Sequence, residues 1–315
     1  MKELATAALA CIVVAASAGP CGAAPTHPDT ARYKGLLFAA DIISNAVWIC
    51  PTGNLRVGFL PPTGQLQDVS YPTQLAIDKS GTVYVANGQI DANGDGSVTE
   101  YPRGQTSPSL TLSSGLNSAT GVAVDSHGTV YVSNKFSATV SVFPSGATHP
   151  AALIAGNLIG PDGLAVDRDD NLYIADSSAK AVYKVLRGAT TPHSLHLSGL
   201  SRPIGIAIDS KHNLYVSNLD GAASNIAVYA PSASRPSRTM AIPYAPGQAG
   251  IGEPMMLSIG PADMLIASAF LSLWPVQGEW FGRSGVVVGF ADGQSVPQWS
   301  GYGVDAGDAV FQPGR

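Results

Sequence analysis

Charge is what this sequence is short of. Asp, Glu, Lys and Arg together make up 12% of its 315 residues, about half the share of an ordinary soluble domain. No Lys/Arg cluster is present to follow a phosphate backbone, and the net charge is -5, so nucleic acid is not an expected partner. Glutamate is scarcer still. Glu3, Glu100, Glu253 and Glu279 are the whole supply, which leaves few carboxylates for acid–base work. Beyond the N-terminal segment no apolar run is long enough to span a bilayer. Of the three cysteines, Cys11 falls in that segment. Cys21 and Cys50 would remain in an oxidising compartment, where a disulfide between them is permitted; Cys50 alone reads as a small buried hydrophobe.

Turn residues, by contrast, are plentiful. The 35 Gly and 23 Pro imply frequent turns and many short strands. The N-terminus has the pattern of an export signal: Lys2, the apolar run "LATAALACIVVAASA" and the small residues Ala16-Ser17-Ala18. The expected division is a signal over 1–18, a short linker over 19–30 and one all-β domain over 31–315. The product is expected outside the cytoplasm, periplasmic or extracellular and monomeric. Lipid attachment at Cys21 is disfavoured by Pro20 just before it.

Self-comparison gives a repeat. "PTQLAIDKSGTVYVAN" begins at Pro72, "ATGVAVDSHGTVYVSN" at Ala119, "PDGLAVDRDDNLYIAD" at Pro161 and "PIGIAIDSKHNLYVSN" at Pro203. The aspartates closing the first apolar run are Asp78, Asp125, Asp167 and Asp209, spaced by 47, 42 and 42 residues. Nine residues after each comes Asn87, Asn134, Asp176 or Asn218. Each unit reads as an apolar strand, a polar turn, a Tyr-Val/Ile strand and two weaker strands. Four antiparallel strands at this period make one propeller blade, and nothing repeats with a helical period.

Two degenerate copies extend the series. "PMMLSIGPADMLIAS" from Pro254, with "GVVVGFADG" from Gly285, supplies one. "GLLFAADIISNAVWICPTG" supplies a second and third strand, with Phe38 in the tyrosine position and Asp41 in the Asn/Asp position. That unit lacks a first strand, which the C-terminal "GYGVDAGDAVF" could provide. The expectation is an all-β, six-bladed β-propeller of four-stranded antiparallel blades, closed by pairing of N- and C-terminal strands.

The pattern P-x-G-[LIV]-A-[LIV]-D…[LV]-Y-V-[SA]-[ND], clearest from Pro72 to Asn218, resembles the NHL-repeat six-bladed β-propeller family of secreted bacterial type. The resemblance covers most of the mature chain and is specific for fold. This scaffold hosts both binders and enzymes, so it does not by itself imply an activity.

Blade geometry sorts the candidates. If strand A descends, the B–C hairpins and D–A connections share one face, and the A–B turns lie on the other. The four repeat aspartates fall in A–B turns and read as turn formers that bond their own backbone. Asp41, Asn87, Asn134, Asp176 and Asn218 end strand B at the channel mouth. They could ring a cation or polar ligand, or satisfy N–H groups of their own B–C turns. Asp162, in "GPDG", is irregular, and Glu253 is the one acid placed to enter the mouth.

Two B–C hairpins are extended, and insertions on one face of a repeat array often mark its binding face. The first carries "DANGDGSVTE", residues 91–100. Asp91, Asn93 and Asp95 alternate as hard oxygen donors suited to Ca²⁺, and Gly96 lets the chain curl. This resembles the calcium hairpins of integrin-type propellers, which implies a structural Ca²⁺ held also by the Ser97 carbonyl and Thr99. The alternative is an ordinary Asn-Gly/Asp-Gly hairpin. The second is "SAFLSLWPVQGEWFGRSG", residues 268–285. Trp274, Trp280 and Phe281, with Glu279 and Arg283, give it the residue types that dominate binding interfaces. It is either a surface for a protein, peptide or carbohydrate, or a plug that buries its own aromatics.

Relatives of this family include metal-dependent enzymes, and a streptogramin-lyase-like or gluconolactonase-like activity is the alternative reading. His127 and His212 fall in A–B turns, on the face away from the mouth. His149, His193 and His196 fall in or near outer strands. None stands as a general base at the mouth, and no nucleophile elbow is present. The expected function is therefore a non-catalytic binding or interaction scaffold.

Overall fold

The computed structural model describes residues 35–42, 44–51, 62–88, 95–243, 251–271, 284–294, 299–302 and 306–313. Six antiparallel sheets form a six-bladed β-propeller. The first contains β1 (Gly35–Asp41), β2 (Ala46–Pro51) and β3 (Gly64–Gln65). The second is β4 (Pro72–Ile77), β5 (Val83–Asn87), β6 (Ser97–Tyr101) and β7 (Leu110–Leu112). The third is β8 (Ala119–Val124), β9 (Val130–Asn134), β10 (Thr139–Phe143) and β11 (Ala152–Ile154). The fourth is β12 (Pro161–Val166), β13 (Leu172–Asp176), β14 (Ala181–Val185) and β15 (His193–Ser194). The fifth is β16 (Pro203–Ile208), β17 (Leu214–Asn218), β18 (Asn225–Tyr229) and β19 (Arg238–Met240). The short β20 (Ile242–Pro243), paired with β21 (Ile251–Ile259), joins β22 (Leu265–Leu271), β23 (Ser284–Phe290) and β24 (Trp299–Tyr302) in the sixth.

The last strand, β25 (Ala306–Pro313), pairs with β1, from Gly35↔Pro313 to Asp41↔Ala306. The C-terminus thus supplies the innermost strand of the first blade, and the two chain ends close the ring. Closure begins at Ala306, later than the sequence suggested, because Gly301 and Tyr302 extend β24 opposite Val287 and Val286.

The repeat is visible as chemistry in each A–B turn. Asp78 Oδ1 accepts from the backbone N–H groups of Ser80 (2.8 Å) and Thr82 (2.9 Å). Asp125, Asp167 and Asp209 bond the equivalent two N–H groups in their own turns. The second oxygen of each accepts the hydroxyl of the tyrosine six residues later: Tyr84, Tyr131, Tyr173 or Tyr215, at 3.1–3.3 Å. Burial, and then the neighbouring aspartate, push Tyr131 and Tyr215 up to about 12. The expected turn role of these aspartates is what the geometry shows. One carboxylate both makes the turn and ties the buried tyrosine of strand B to it.

Between blades, apolar faces interlock. Tyr84, Val98, Leu112 and Phe143 share one cluster across blades 2 and 3, and Tyr173, Val182, Ile206 and Tyr229 share another across blades 4 and 5. The repeat glycine sits where inner strands approach. A Cβ at Gly121, Gly163 or Gly205 would come inside 3.0 Å of the next blade's backbone carbonyl, at Asp162, Ile204 or Met255 respectively. The outer strands are two to three residues long in blades 1–5, so little unpaired edge is offered to other chains.

Removing residues from Ala306 onward deletes β25 and leaves β1 as an unpaired inner edge. We expect the thermal midpoint to fall by at least about 10 °C, several kcal/mol at about 2–4 °C per kcal/mol for a domain of this size. A truncated protein that melts like the full chain would contradict ring closure by the C-terminus.

Candidate functional site

The A strands begin and the B strands end on one face, shown by the pairings Pro72↔Asn87, Pro161↔Asp176 and Pro203↔Asn218. Asn87, Asn134, Asp176 and Asn218 are buried there. Their partners lie mainly in the connection entering their own blade, not in the B–C turn expected from sequence. Asn87 Oδ1 accepts from Ser70 N–H (3.1 Å) and Asn134 Oδ1 from Asn117 N–H (3.1 Å). Asp176 takes the N–H groups of Ile159 and Gly160, and also that of Ala179 in its own hairpin. Asn218 takes those of Ser201 and Arg202. Asp41 accepts from Ser44 N–H and Trp48 Nε1–H. Asn87, Asn134, Asp176 and Asn218 thus pin their D–A connections to the end of strand B, whereas Asp41 bonds its own B–C hairpin, the alternative the sequence offered.

Of the calcium candidates, Asp91 and Asn93 lie outside the described residues, as do Trp274, Glu279, Trp280, Phe281 and Arg283. Asp95 is exposed. Gly96 has φ +68, and a Cβ there would stand 2.7 Å from the Asn87 carbonyl, so glycine is required by two independent constraints. Ser97 and Thr99 lie within β6, and both hydroxyls accept from Asn87 Nδ2. Thr99 is buried. Among the described residues Cys50 is a free, buried thiol, pushed up to about 11 by that burial.

Asp162 and Glu253 both stand inside strands, β12 and β21. Asp162 is the second residue of β12 and is 4% exposed. Lys135, from the neighbouring B–C hairpin, binds its Oδ1. Its Oδ2 is buried and has no hydrogen-bond partner among the described residues. The equivalent positions hold Thr73, Thr120, Ile204 and Met255, so this carboxylate breaks the repeat. On the same face Phe136 (72% exposed) and Ile159 (61%) stand in solvent. Also on this face, Ser177, Lys180, Ser201, Arg202, Asp220 and Glu253 line a cleft of about 420 Å³. Asp220 enters it through the short 3₁₀ turn Gly221–Ala223, which fills the lengthened β17–β18 hairpin.

One residue escaped sequence reasoning. Gln74 occupies the glycine position of the repeat in blade 2 and is buried. Its Oε1 accepts from Val122 N–H (3.1 Å) and Leu164 N–H (3.0 Å), and its Nε2 donates to Leu164 O (2.9 Å). It reaches from blade 2 to the inner edges of blades 3 and 4. The channel beside it has a volume of about 200 Å³ and is lined by the A strands of blades 2 to 6. The signal was its departure from P-x-G.

The opposite face is cross-linked. Ser126 donates N–H and hydroxyl to Asp170 (both 2.9 Å), and Ser210 does the same to Asp263. Asp167, Asp169 and His212 offer ligand atoms within 4.8 Å of one another. Both Asp167 oxygens are already bonded, to Asn171 and Tyr173 among others, and the Lys184 ammonium is 3.7 Å away. Burial pushes Asp167 up, but these bonds hold it below the usual carboxylate value. The group reads as a polar network, not a prepared cation site.

No family model matches this sequence, and no curated protein was found similar to it. Solved structures do match in fold. A chain of a nidogen/laminin complex aligns with TM-score 0.61 at 16% identity, covering 85% of this chain and 92% of that one. A Kuenenia stuttgartiensis hydrazine synthase chain gives 0.54 at 16% identity, covering 81% and 70%. A streptogramin B lyase gives 0.52 at 11% identity, covering 77% and 91%. Identities this low establish the propeller fold and leave the activity to the site.

The Asp170 cross-link carries a pH dependence. The Ser126 N–H holds its carboxyl below the ordinary value against opposing burial, helped by the Ser126 hydroxyl, His127 and Arg187. A depressed carboxylate stabilises the fold above its unfolded pKa of about 4, and that contribution is lost as pH falls through the folded value. Asp170→Asn should therefore be less stable than wild type at pH 7, with the gap closing below about pH 4. Urea denaturation at pH 7 and pH 3 measures this; an equal gap at both would contradict it.

Proposed function

We propose that this chain is an exported, non-catalytic binding propeller whose B–C face receives a polar ligand or partner. The observation that carries the reading is a division between residues. The repeated carboxylates and amides are consumed in turns and blade connections, whereas residues that break the repeat gather on the B–C face. Those are the Lys135–Asp162 pair, whose buried second oxygen has no partner among the described residues, exposed Phe136 and Ile159, and the charged cleft. A buried carboxylate oxygen without a donor is costly, and a ligand N–H or O–H at that point would satisfy it.

Further support is of fold and sequence. One structural neighbour is a chain of a nidogen/laminin complex, and the partner class proposed here is a protein, peptide or carbohydrate. No helix among the described residues is long and apolar enough to cross a membrane. Export rests on the N-terminal pattern of Lys2, the apolar run and Ala16-Ser17-Ala18. Ca²⁺ is proposed at Asp91, Asn93, Asp95 and the Ser97 carbonyl as a brace for the hairpin. Thr99, whose hydroxyl accepts from Asn87 Nδ2, would add its remaining lone pair to the set.

The second reading is a metal-dependent lyase or lactonase. It is favoured by Asp162 and Glu253 sharing this face and by the fold neighbour named as a streptogramin B lyase. Incubation with a cyclic lactone peptide and with gluconolactone, each with Mg²⁺, separates the two. The binding reading predicts intact substrates; ring opening that Glu253→Gln removes would overturn it. Calorimetric titration of the metal-free protein should in turn show a Ca²⁺ site lost in Asp95→Ala, and equal uptake by that variant would remove calcium from the account.

A further inference from the structure

Side-chain cross-links join blade 3 to blade 4 and blade 5 to blade 6 at both ends of the channel. On the A–B face they are Ser126–Asp170 and Ser210–Asp263. On the B–C face Ser133 Oγ donates to the Asp162 carbonyl, and Ser217 Oγ to that of Met255. At the seam between blades 4 and 5 the corresponding serines are replaced by Arg168 and Ala175. Among the described residues no side-chain hydrogen bond or ion pair joins the β12–β14 strands to the β16–β18 strands. The seam is held there by the apolar contacts of Ala175, Val182, Ile206 and Val216, which are non-directional.

The charged cleft opens over this seam. It is assembled from the β13–β14 hairpin, the connection into β16, the β17–β18 hairpin and the start of β21. Its size suits a small ligand. Lys180 and Arg202 bring two positive charges to it, and Asp220 and Glu253 two negative ones. Among the described residues no ion pair joins any of the four to another. Four charged groups in one recess, balanced in sign and unpaired with each other, suit a ligand that carries both signs. A guanidinium takes a carboxylate through two parallel hydrogen bonds, and carboxylates take an ammonium. A purely anionic or cationic ligand would leave two like charges opposed to it.

We propose that this cleft binds a short zwitterionic peptide, its terminal carboxylate at Arg202 and Lys180 and its terminal ammonium at Glu253 and Asp220. The proposal rests on the B–C face being the binding face and adds the ligand class.

The test is calorimetry with triglycine, N-acetyl-triglycine and triglycinamide on the full chain. Wild type should bind triglycine and lose at least about tenfold in affinity when either end is capped, about 1.4 kcal/mol. Arg202→Ala should bind triglycine and triglycinamide equally, and Glu253→Gln should bind triglycine and its acetylated form equally. Neither position is buried, and unchanged melting of both variants would confirm that they fold. Absence of triglycine binding by wild type, or cap discrimination that survives in both variants, overturns the proposal. Without triglycine binding but also without lactone turnover, only the ligand class falls; turnover would remove the binding reading itself.

Discussion

Each blade depends on a carboxylate shared between a turn and a tyrosine. One aspartate oxygen collects two backbone N–H groups and so bends the chain from strand A into strand B. The other accepts the hydroxyl of the tyrosine that is the second residue of the strand it has just started. The arrangement fixes the register of the two inner strands and gives the buried tyrosine hydroxyl the partner it requires. A hydrogen bond to a charged group contributes about 1.5–3 kcal/mol, so four such turns are a large part of what keeps a low-charge, turn-rich chain in one structure. Where the motif fails, as in blade 6, Gly260 and Ile266 stand in its place. The A–B turn there is instead closed by the 3₁₀ segment Pro261–Asp263.

With the blades fixed, the ring forms because inner strands approach backbone to backbone. The repeat glycine is the space for that approach, and Gln74 is the exception that uses it differently. By sending an amide to blades 3 and 4, Gln74 satisfies N–H groups that an inner strand edge would otherwise expose to the channel. The same edges end at the B–C face. There, four side chains of the repeat pin the entering connections and leave the surface to residues that differ from blade to blade.

Four blades were legible in the sequence because Asp and Tyr recur at a fixed offset and the strands between them alternate in apolar pattern. The first and last blades were fainter, since Phe38 and Ile266 replace the tyrosine and β25 comes from the far end of the chain. The site was less legible for a physical reason. Lys135 meets Asp162 across 27 residues, and Asn218 meets Ser201 across 17. Such partners are set by blade packing and leave no local pattern. The cleft draws on four separate segments, and of its charged residues only Glu253 stood out in the sequence. Gln74 was within reach, as a polar residue where the repeat calls for glycine.

The account's central claim is that repeat residues hold the ring while repeat-breaking residues on the B–C face bind. Urea midpoints and triglycine affinities of two variant sets, measured on the same samples, test this most directly. One set is Tyr131→Phe, Tyr173→Phe and Tyr215→Phe; the other is Lys180→Ala, Arg202→Ala and Glu253→Gln. The account predicts that each tyrosine change lowers stability by about 1.5–3 kcal/mol and leaves affinity unchanged, while the cleft changes lower affinity and leave the midpoint unchanged. Tyrosine variants that lose binding as fully as the cleft variants would contradict it.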